Sequence, residues 1–262
     1  MSSPTLTIII AAKNEAHNIA DCVRSAAFAD EILVLDSGSV DGTRELAAGA
    51  GARVVPTDWP GYGPQQARGI AMARGDWVLS LDADERIPVP LRDEILQSLA
   101  APQADGYRLP RLSSFCGRFI HHGGWRPDYT LRLARRDKAG FTSHFLHAHM
   151  TVQGTVRDLQ HSLIHYSYRD LDDVLEKLNR YSSGNARDLA AQGRQGGLGR
   201  AIAHGLWAFV RTYLLRRGFL DGRHGFLLAV YNAESTFYKY VKLLLSQPGT
   251  ARPAGAPPPP PS

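Results

Sequence analysis

Leu6-Thr7-Ile8-Ile9-Ile10-Ala11-Ala12 is an unbroken apolar run, and Ile32-Leu33-Val34-Leu35 repeats it after an interval long enough for one helix. Neither run alternates polar with apolar residues. A continuous β-branched stretch of this length fits a strand covered on both faces, as in parallel sheets. Between the two runs, Asn14 to Ala27 has helical spacing. Thr43 to Ala50 predicts a second helix, and Arg53-Val54-Val55 a third strand after Gly51. Gln65 to Arg74 predicts a further helix ended by Gly75, and Trp77 to Leu81 a further buried strand that stops at Asp82. Strands and helices alternating from the start predict an α/β fold with a doubly wound, mostly parallel sheet and right-handed crossovers.

Beyond Pro88 a helix is expected over Leu91 to Leu99. Turn-rich, aromatic and histidine-containing sequence then runs to about His165 and is expected to complete the sheet. From Leu171 the apolar residues fall at helical spacing, with Gly193 to Gly199 as a break. Pro248 to Ser262, with five consecutive prolines at 257–261, reads as a disordered polyproline-type tail. The expected organisation is an α/β domain over 1–165, a basic helical extension over 166–247 and the tail over 248–262.

The 262 residues are 44% hydrophobic, ample for a buried core and incompatible with disorder of the whole chain. The net charge of +5 is unevenly spread: residues 1–165 are nearly neutral, while 166–247 hold 12 basic and 7 acidic side chains. A basic partner surface would therefore lie in the C-terminal third. Cys22 and Cys116 are too few for a disulfide framework, which fits a reducing, cytoplasmic setting. No signal peptide is expected, and the best apolar stretch is interrupted by Arg211, Arg216 and Arg217, so no spanning helix is expected either. Aromatics and arginines together on the C-terminal helices fit an element lying against anionic lipid or, equally, a plain helical subdomain with a solvated basic face. Nucleic acid is not an expected partner, because no recognition signature accompanies the small charge.

Three polar clusters sit where inferred strands end, the edge at which open α/β sheets bind ligands. Asn14 and Glu15 follow strand one; taken alone they suit a helix N-cap. Asp36-Ser37-Gly38-Ser39-Val40-Asp41-Gly42-Thr43 follows strand two. Its small residues permit close backbone approach to a ligand, and Asp36 can accept hydrogen bonds from a nucleoside; a capping turn is the plainer alternative. Asp82-Ala83-Asp84-Glu85 follows the strand from Trp77, and its alternate carboxylates can complete the coordination of Mg²⁺ or Mn²⁺ alongside a diphosphate. The histidines between His121 and His165 lack thiolates or an H-E-x-x-H spacing, so a zinc centre is not expected.

The order Ile8 to Glu15, Asp30 to Thr43 and Ala73 to Glu85 resembles the donor-binding half of glycosyltransferase family 2. His122 to Asp128, His165 to Leu171, Lys177 to Tyr181 and Arg217 to Gly222 resemble its lipopolysaccharide inner-core β-glucosyltransferase subgroup. The resemblance implies a GT-A fold and an inverting, metal-dependent transferase, peripheral to the cytoplasmic membrane. It would use UDP-glucose or a related nucleotide sugar and a lipid-linked glycan acceptor. It places Asn14, Glu15, Asp36, Ser37, Gly38, Asp41, Arg68 and Asp82 at the nucleotide sugar and Asp82 and Asp84 at the divalent cation. The subgroup carries an acid where this chain has Ala148, so either Asp128 or His147, with His149 a further candidate, takes the base role, or the base never lay at this position, or the chain is impaired in catalysis. Gln66 replaces a basic residue, for which Arg68 is the expected substitute. A polyprenyl-phosphate glycosyltransferase, or a nucleotide-sugar-binding protein with little turnover, are the alternatives.

Overall fold

The computed structural model describes residues 4–142 and 148–247. By its contacts the chain forms two units. The first holds residues 1–113 and 126–167, and the second 114–125 and everything from 168.

The first unit opens with β1 (Leu6–Ala12), α1 (Ile19–Ser25), β2 (Glu31–Asp36), α2 (Thr43–Gly49), β3 (Arg53–Pro56), α3 (Tyr62–Met72) and β4 (Trp77–Asp82). Strands β3, β2, β1 and β4 lie side by side in that order and run parallel. The unalternating sequence of β1 has its reason in the packing. Ile8 and Ile10 join a core with Ile19, Cys22 and Val23 of α1, whereas Ile9 faces the opposite core with Leu33, Leu35 and Val78. Both faces are buried, so both sets of alternate side chains must be apolar.

The chain continues through β5 (Glu85–Arg86), α4 (Val89–Ala100), β6 (Gly106–Phe115), β7 (Arg118–Phe119), β8 (Tyr129–Arg135), β9 (Ala139–Phe141), β10 (Met150–Val152), β11 (Val156–Asp158) and β12 (Leu163–Tyr168). Here the sheet turns antiparallel, with β8 between β4 and β6. The result is the expected GT-A type α/β fold with a mixed sheet, parallel in its N-terminal half, followed by C-terminal helices.

Two helix boundaries differ from the sequence expectation. α1 starts at Ile19 and not at Asn14, because Asn14 takes a left-handed φ of 55° and turns the chain. α3 spans Tyr62 to Met72, and Ala73 is already extended with ψ 143°. Gly75 serves a different purpose from a helix cap: a Cβ there would lie 2.7 Å from the Thr7 nitrogen of β1.

The second unit contains α5 (Leu171–Ala191), α6 (Leu198–Val210), a π-helical turn (Arg211–Leu215), a 3₁₀ turn (Gly218–Asp221) and α7 (Gly222–Leu245). Its core joins Phe115 and Ile120 to Tyr168, Val174, Leu178, Leu228 and Tyr231, and the Tyr168 and Tyr231 hydroxyls meet at 2.7 Å. Residues 121–125 are fixed from the far end of the chain. Asp221 accepts from the His121 and His122 backbone nitrogens, and Gly123 N donates to Arg216 O at 2.8 Å. In the Lys177 to Tyr181 segment, Leu178 is core and Asn179 accepts from Lys242 Nζ at 2.6 Å. These motifs build the helical unit. Among the described residues, no helix is long and apolar enough to cross a membrane.

Candidate active site

The parallel register aligns the carboxyl ends of three strands. Ala12 pairs with Asp36 on one side of β1, and Ala11 with Asp82 on the other. Asp36 and Asp82 therefore lie about 10 Å apart, two inter-strand spacings. A nucleoside diphosphate extends over that kind of distance.

Asp36 is fully buried. Its Oδ1 accepts from Gly38 N at 3.2 Å and Ser39 N at 3.1 Å, while Oδ2 is buried with no hydrogen-bond partner among the described residues. A buried carboxylate oxygen without a donor is costly, and such groups mark sites that a ligand completes. Gly38 makes the turn possible at φ 84°. Asn14 clamps the same loop, donating from its backbone to Ser39 Oγ at 2.8 Å and accepting from Val40 N at 3.0 Å. Asp41 is consumed as a brace: Oδ1 accepts from the Thr43 hydroxyl and Oδ2 from Ala16 N. Those bonds, the Thr43 hydroxyl foremost, hold its carboxyl below the usual range. Glu15 accepts from Asn18 Nδ2 at 3.0 Å. Ser37 is buried and accepts from Gln65 Nε2 of α3 at 3.1 Å. Arg68, expected near phosphates, pairs with Asp58 at 2.7 Å and with Gln65 Oε1, and Gln66 is buried with no partner for its Oε1 among the described residues.

The acid cluster after β4 is organised by a residue from β8. Arg132 is nearly buried, and its Nη2 donates to Asp82 Oδ2 at 2.6 Å and Glu85 Oε1 at 2.8 Å. Burial alone would raise Asp82, but the Arg132 guanidinium outweighs it and holds the carboxyl below its ordinary range. Glu85 is fully buried, and that burial, aided by the Asp82 charge, pushes its carboxyl up despite Arg132. Asp84 faces His165, with Nε2 3.4 Å from Oδ2. Burial would lower His165, but the bond to Asp84 outweighs this and raises it. Asp128 sits in the fork of Arg111, whose Nε and Nη2 both donate to Oδ2, and Arg111 Nη1 lies 3.8 Å from Glu85. The structure thus links Asp128 to the acid cluster through one guanidinium.

His147 lies outside the described residues. The segment that carries it is bracketed by Thr142 and His149, whose backbones bond to each other at 3.1 Å. Thr142 and Ala148 both pack on Gly63 in the first turn of α3, where a Cβ would be 2.1 Å from Thr142 O. Sequence reasoning missed Glu85 as a buried partner, along with Arg132, Arg111 and Gln65. Glu85 stood in the quoted acidic run, but the arginines come from antiparallel strands whose pairing no local pattern announces.

Asp82 and Asp84 supply hard carboxylate oxygens two residues apart, and the Asp82 side chain is 42% exposed. This donor chemistry suits Mg²⁺ or Mn²⁺ when a diphosphate supplies the remaining oxygens. Among the described residues, no group of three or more His, Cys, Asp or Glu side chains forms a complete metal site. A cleft of about 510 Å³ lies at the opposite, amino-terminal ends of the strands, beside Thr5, Glu31 and Arg53 and away from these residues.

Residues 7–154 match the family described as Glycosyl transferase family 2, and the chain belongs to that family. It is 30% identical over 251 residues to an uncharacterized glycosyltransferase of Rickettsia typhi, covering 91% of this chain and 86% of the relative. It is 28% identical to the lipopolysaccharide core biosynthesis glycosyltransferase LpsC of Rhizobium meliloti, over 95% of each chain. Among solved structures it resembles glucosyl-3-phosphoglycerate synthase from Mycobacterium tuberculosis with Mn²⁺, UDP and glucosyl-3-phosphoglycerate. That likeness is 29% identical with a TM-score of 0.36, and it covers 42% of this chain and less than half, 44%, of that one.

Proposed function

We propose that this glycosyltransferase moves a sugar, glucose in our reading, from a UDP donor to a lipopolysaccharide-core or similar lipid-linked glycan at the cytoplasmic membrane surface, with inversion. The observation that carries the donor reading is the buried, donorless Oδ2 of Asp36 at the end of β2. It is matched by the acid cluster two strands away. Asp36 accepts from the uracil side, and the glycine-containing loop held by Asn14 and Asp41 lets the nucleoside approach the backbone. Asp82 and Asp84 hold the divalent cation, which supplies neutralisation of the charge developing on the departing diphosphate. The likeness to LpsC over nearly the whole chain supports the acceptor class.

The acceptor hydroxyl needs a base. Asp128 is our candidate, oriented by Arg111, with both bonds on Oδ2; His147 is the alternative. The deciding experiment is a thermal-shift screen of nucleotide sugars with and without Mn²⁺, since a ligand of the native state raises apparent stability by mass action. UDP-glucose should stabilise the chain more with the metal than without, and Asp84→Ala should remove the metal-dependent part. No response to any uridine nucleotide overturns the donor reading. Ala148, in place of an acid, favours a second reading as a binding protein with little turnover; donor stabilisation without transfer to core oligosaccharide would establish it.

A further inference from the structure

In the second unit, α6 is packed the wrong way round for a helix in water. Its buried stripe is Ala201, Gly205, Ala208 and, one turn on, Thr212. The approach to α7 is close, and a Cβ on Gly205 would lie 3.3 Å from the Ala233 carbonyl oxygen. Most of the bulky apolar side chains point away: Leu206 is 64% exposed, Trp207 54% and Leu215 62%, with Ile202 and Leu214 also exposed, while Phe209 packs edge-on against Phe226 of α7. An amphipathic helix in a water-soluble protein buries its large residues, for these carry most of the transfer free energy. Small residues inside and large ones outside is the arrangement of helices whose surroundings are themselves apolar.

Charge says what those surroundings are. From Leu198 to Ala233 the chain carries five arginines and a single carboxylate, Asp221, which is taken up by the His121 and His122 nitrogens. Arg211, Arg216 and Arg217 are exposed, and Arg211 falls on the same helical stripe as Trp207 and Leu214. There its stem can lie along apolar surface while the guanidinium reaches a phosphate. α6 has 13 residues, about 20 Å, which is short of the roughly 30 Å hydrocarbon layer. Arginines at the helical turns also forbid burial of that end in hydrocarbon. The geometry leaves one placement, flat in the interface.

We propose that α6, the π-helical turn and the first turns of α7 form a monotopic bilayer-docking face. Leu206, Trp207 and Leu215 enter the upper acyl layer, and Arg211, Arg216 and Arg217 meet the phosphates of anionic lipids. The inference deepens the membrane-side part of the reading above and does not depend on the donor.

The test uses the full chain with sucrose-loaded vesicles, of phosphatidylcholine alone or with phosphatidylglycerol, and with brominated acyl chains for tryptophan quenching. The chain should sediment with the anionic vesicles, less so at high salt. Brominated lipid should quench its fluorescence, and Trp207→Phe should abolish that quenching. Leu206→Ser with Leu215→Ser should weaken vesicle binding about tenfold or more, while UDP binding by the first unit stays intact as proof of folding. Three results overturn the proposal: no sedimentation with anionic vesicles; quenching that survives Trp207→Phe; or a blue-shifted Trp207 emission that grows with protein concentration without lipid, which assigns the face to a second copy. Vesicle binding with no response to uridine nucleotides would sink the donor reading alone.

Discussion

Asp36 joins a structural role to a proposed donor-binding one in a single side chain. Oδ1 accepts from two backbone nitrogens, and Oδ2 from no donor among the described residues. Asp36→Asn keeps an acceptor for the loop and removes a buried charge that Arg44 Nε meets at 3.7 Å on Oδ1. Folding stability in urea should hold or rise, whereas UDP affinity by calorimetry should fall about tenfold or more, the scale of a hydrogen bond to a charged group. Equal losses of both would mean that the carboxylate merely shapes the turn. Glu85 makes a prediction of opposite character. Burial first, then the Asp82 charge, raises it from 4.5 to about 7 against the pull of Arg132. An acid raised in the folded state binds more proton there than in the unfolded chain, so it withdraws stability as pH climbs through that interval. Glu85→Gln should flatten the dependence of unfolding free energy on pH between about 5 and 7. An unchanged slope in the variant would contradict this. The sequence exposed Asp36 and Asp82 because each ends an apolar run, and position on a sheet edge is a local property. The Arg132 clamp was hidden, since its partners sit 47 and 50 residues away on another strand.

At the scale of elements, α3 is the part of the site most sensitive to packing. Gly69 rests on β1, where a Cβ would come 2.4 Å from Ile9 Cγ2. One turn earlier, Gln65 spans Ser37 Oγ at 3.1 Å and the Thr57 hydroxyl at 2.5 Å. Gly69→Ala should push the helix off the strand at a cost of about 1–3 kcal/mol, the usual range for overpacking. It should also weaken donor binding by moving Gln65 away from Ser37. Denaturant midpoints and UDP titrations on the same sample check both, and a stability loss without a binding loss would detach α3 from the site. The parallel strands were legible because burial on both faces leaves an unalternating signature. The start of α1 was not: helical spacing reached back to Asn14, but the hydrogen bonds that hold Asn14 left-handed come from a loop 25 and 26 residues on.

For the whole molecule, the two units should answer to different ligands. Hydrogen exchange with UDP and Mn²⁺ should gain protection at residues 36–43, 62–70 and 82–85. Anionic vesicles should instead protect 198–227, because each ligand suppresses local opening where it binds. Protection of the same segments by both would contradict separate sites. The second unit was only partly readable. Its helices announce themselves by periodicity, whereas residues 114–125 look like ordinary sheet-and-turn sequence and join the helices through contacts distant in sequence, Phe115 and Ile120 in the core and Asp221 at the His121 and His122 nitrogens.

That partition bears on how the chain is made. Phe115 and Ile120 leave the ribosome before the whole of 126–167, and before Val174, Leu178, Leu228 and Tyr231, which bury them. A nascent chain that folds its N-terminal sheet as it emerges must carry these two side chains without their full cover until Tyr231 has been made. Early termination before Tyr168 would therefore release a product whose Phe115 and Ile120 lack every other buried residue of their core, and termination between α5 and α7 one that lacks Leu228 and Tyr231. Production of this enzyme should be correspondingly demanding of chaperones.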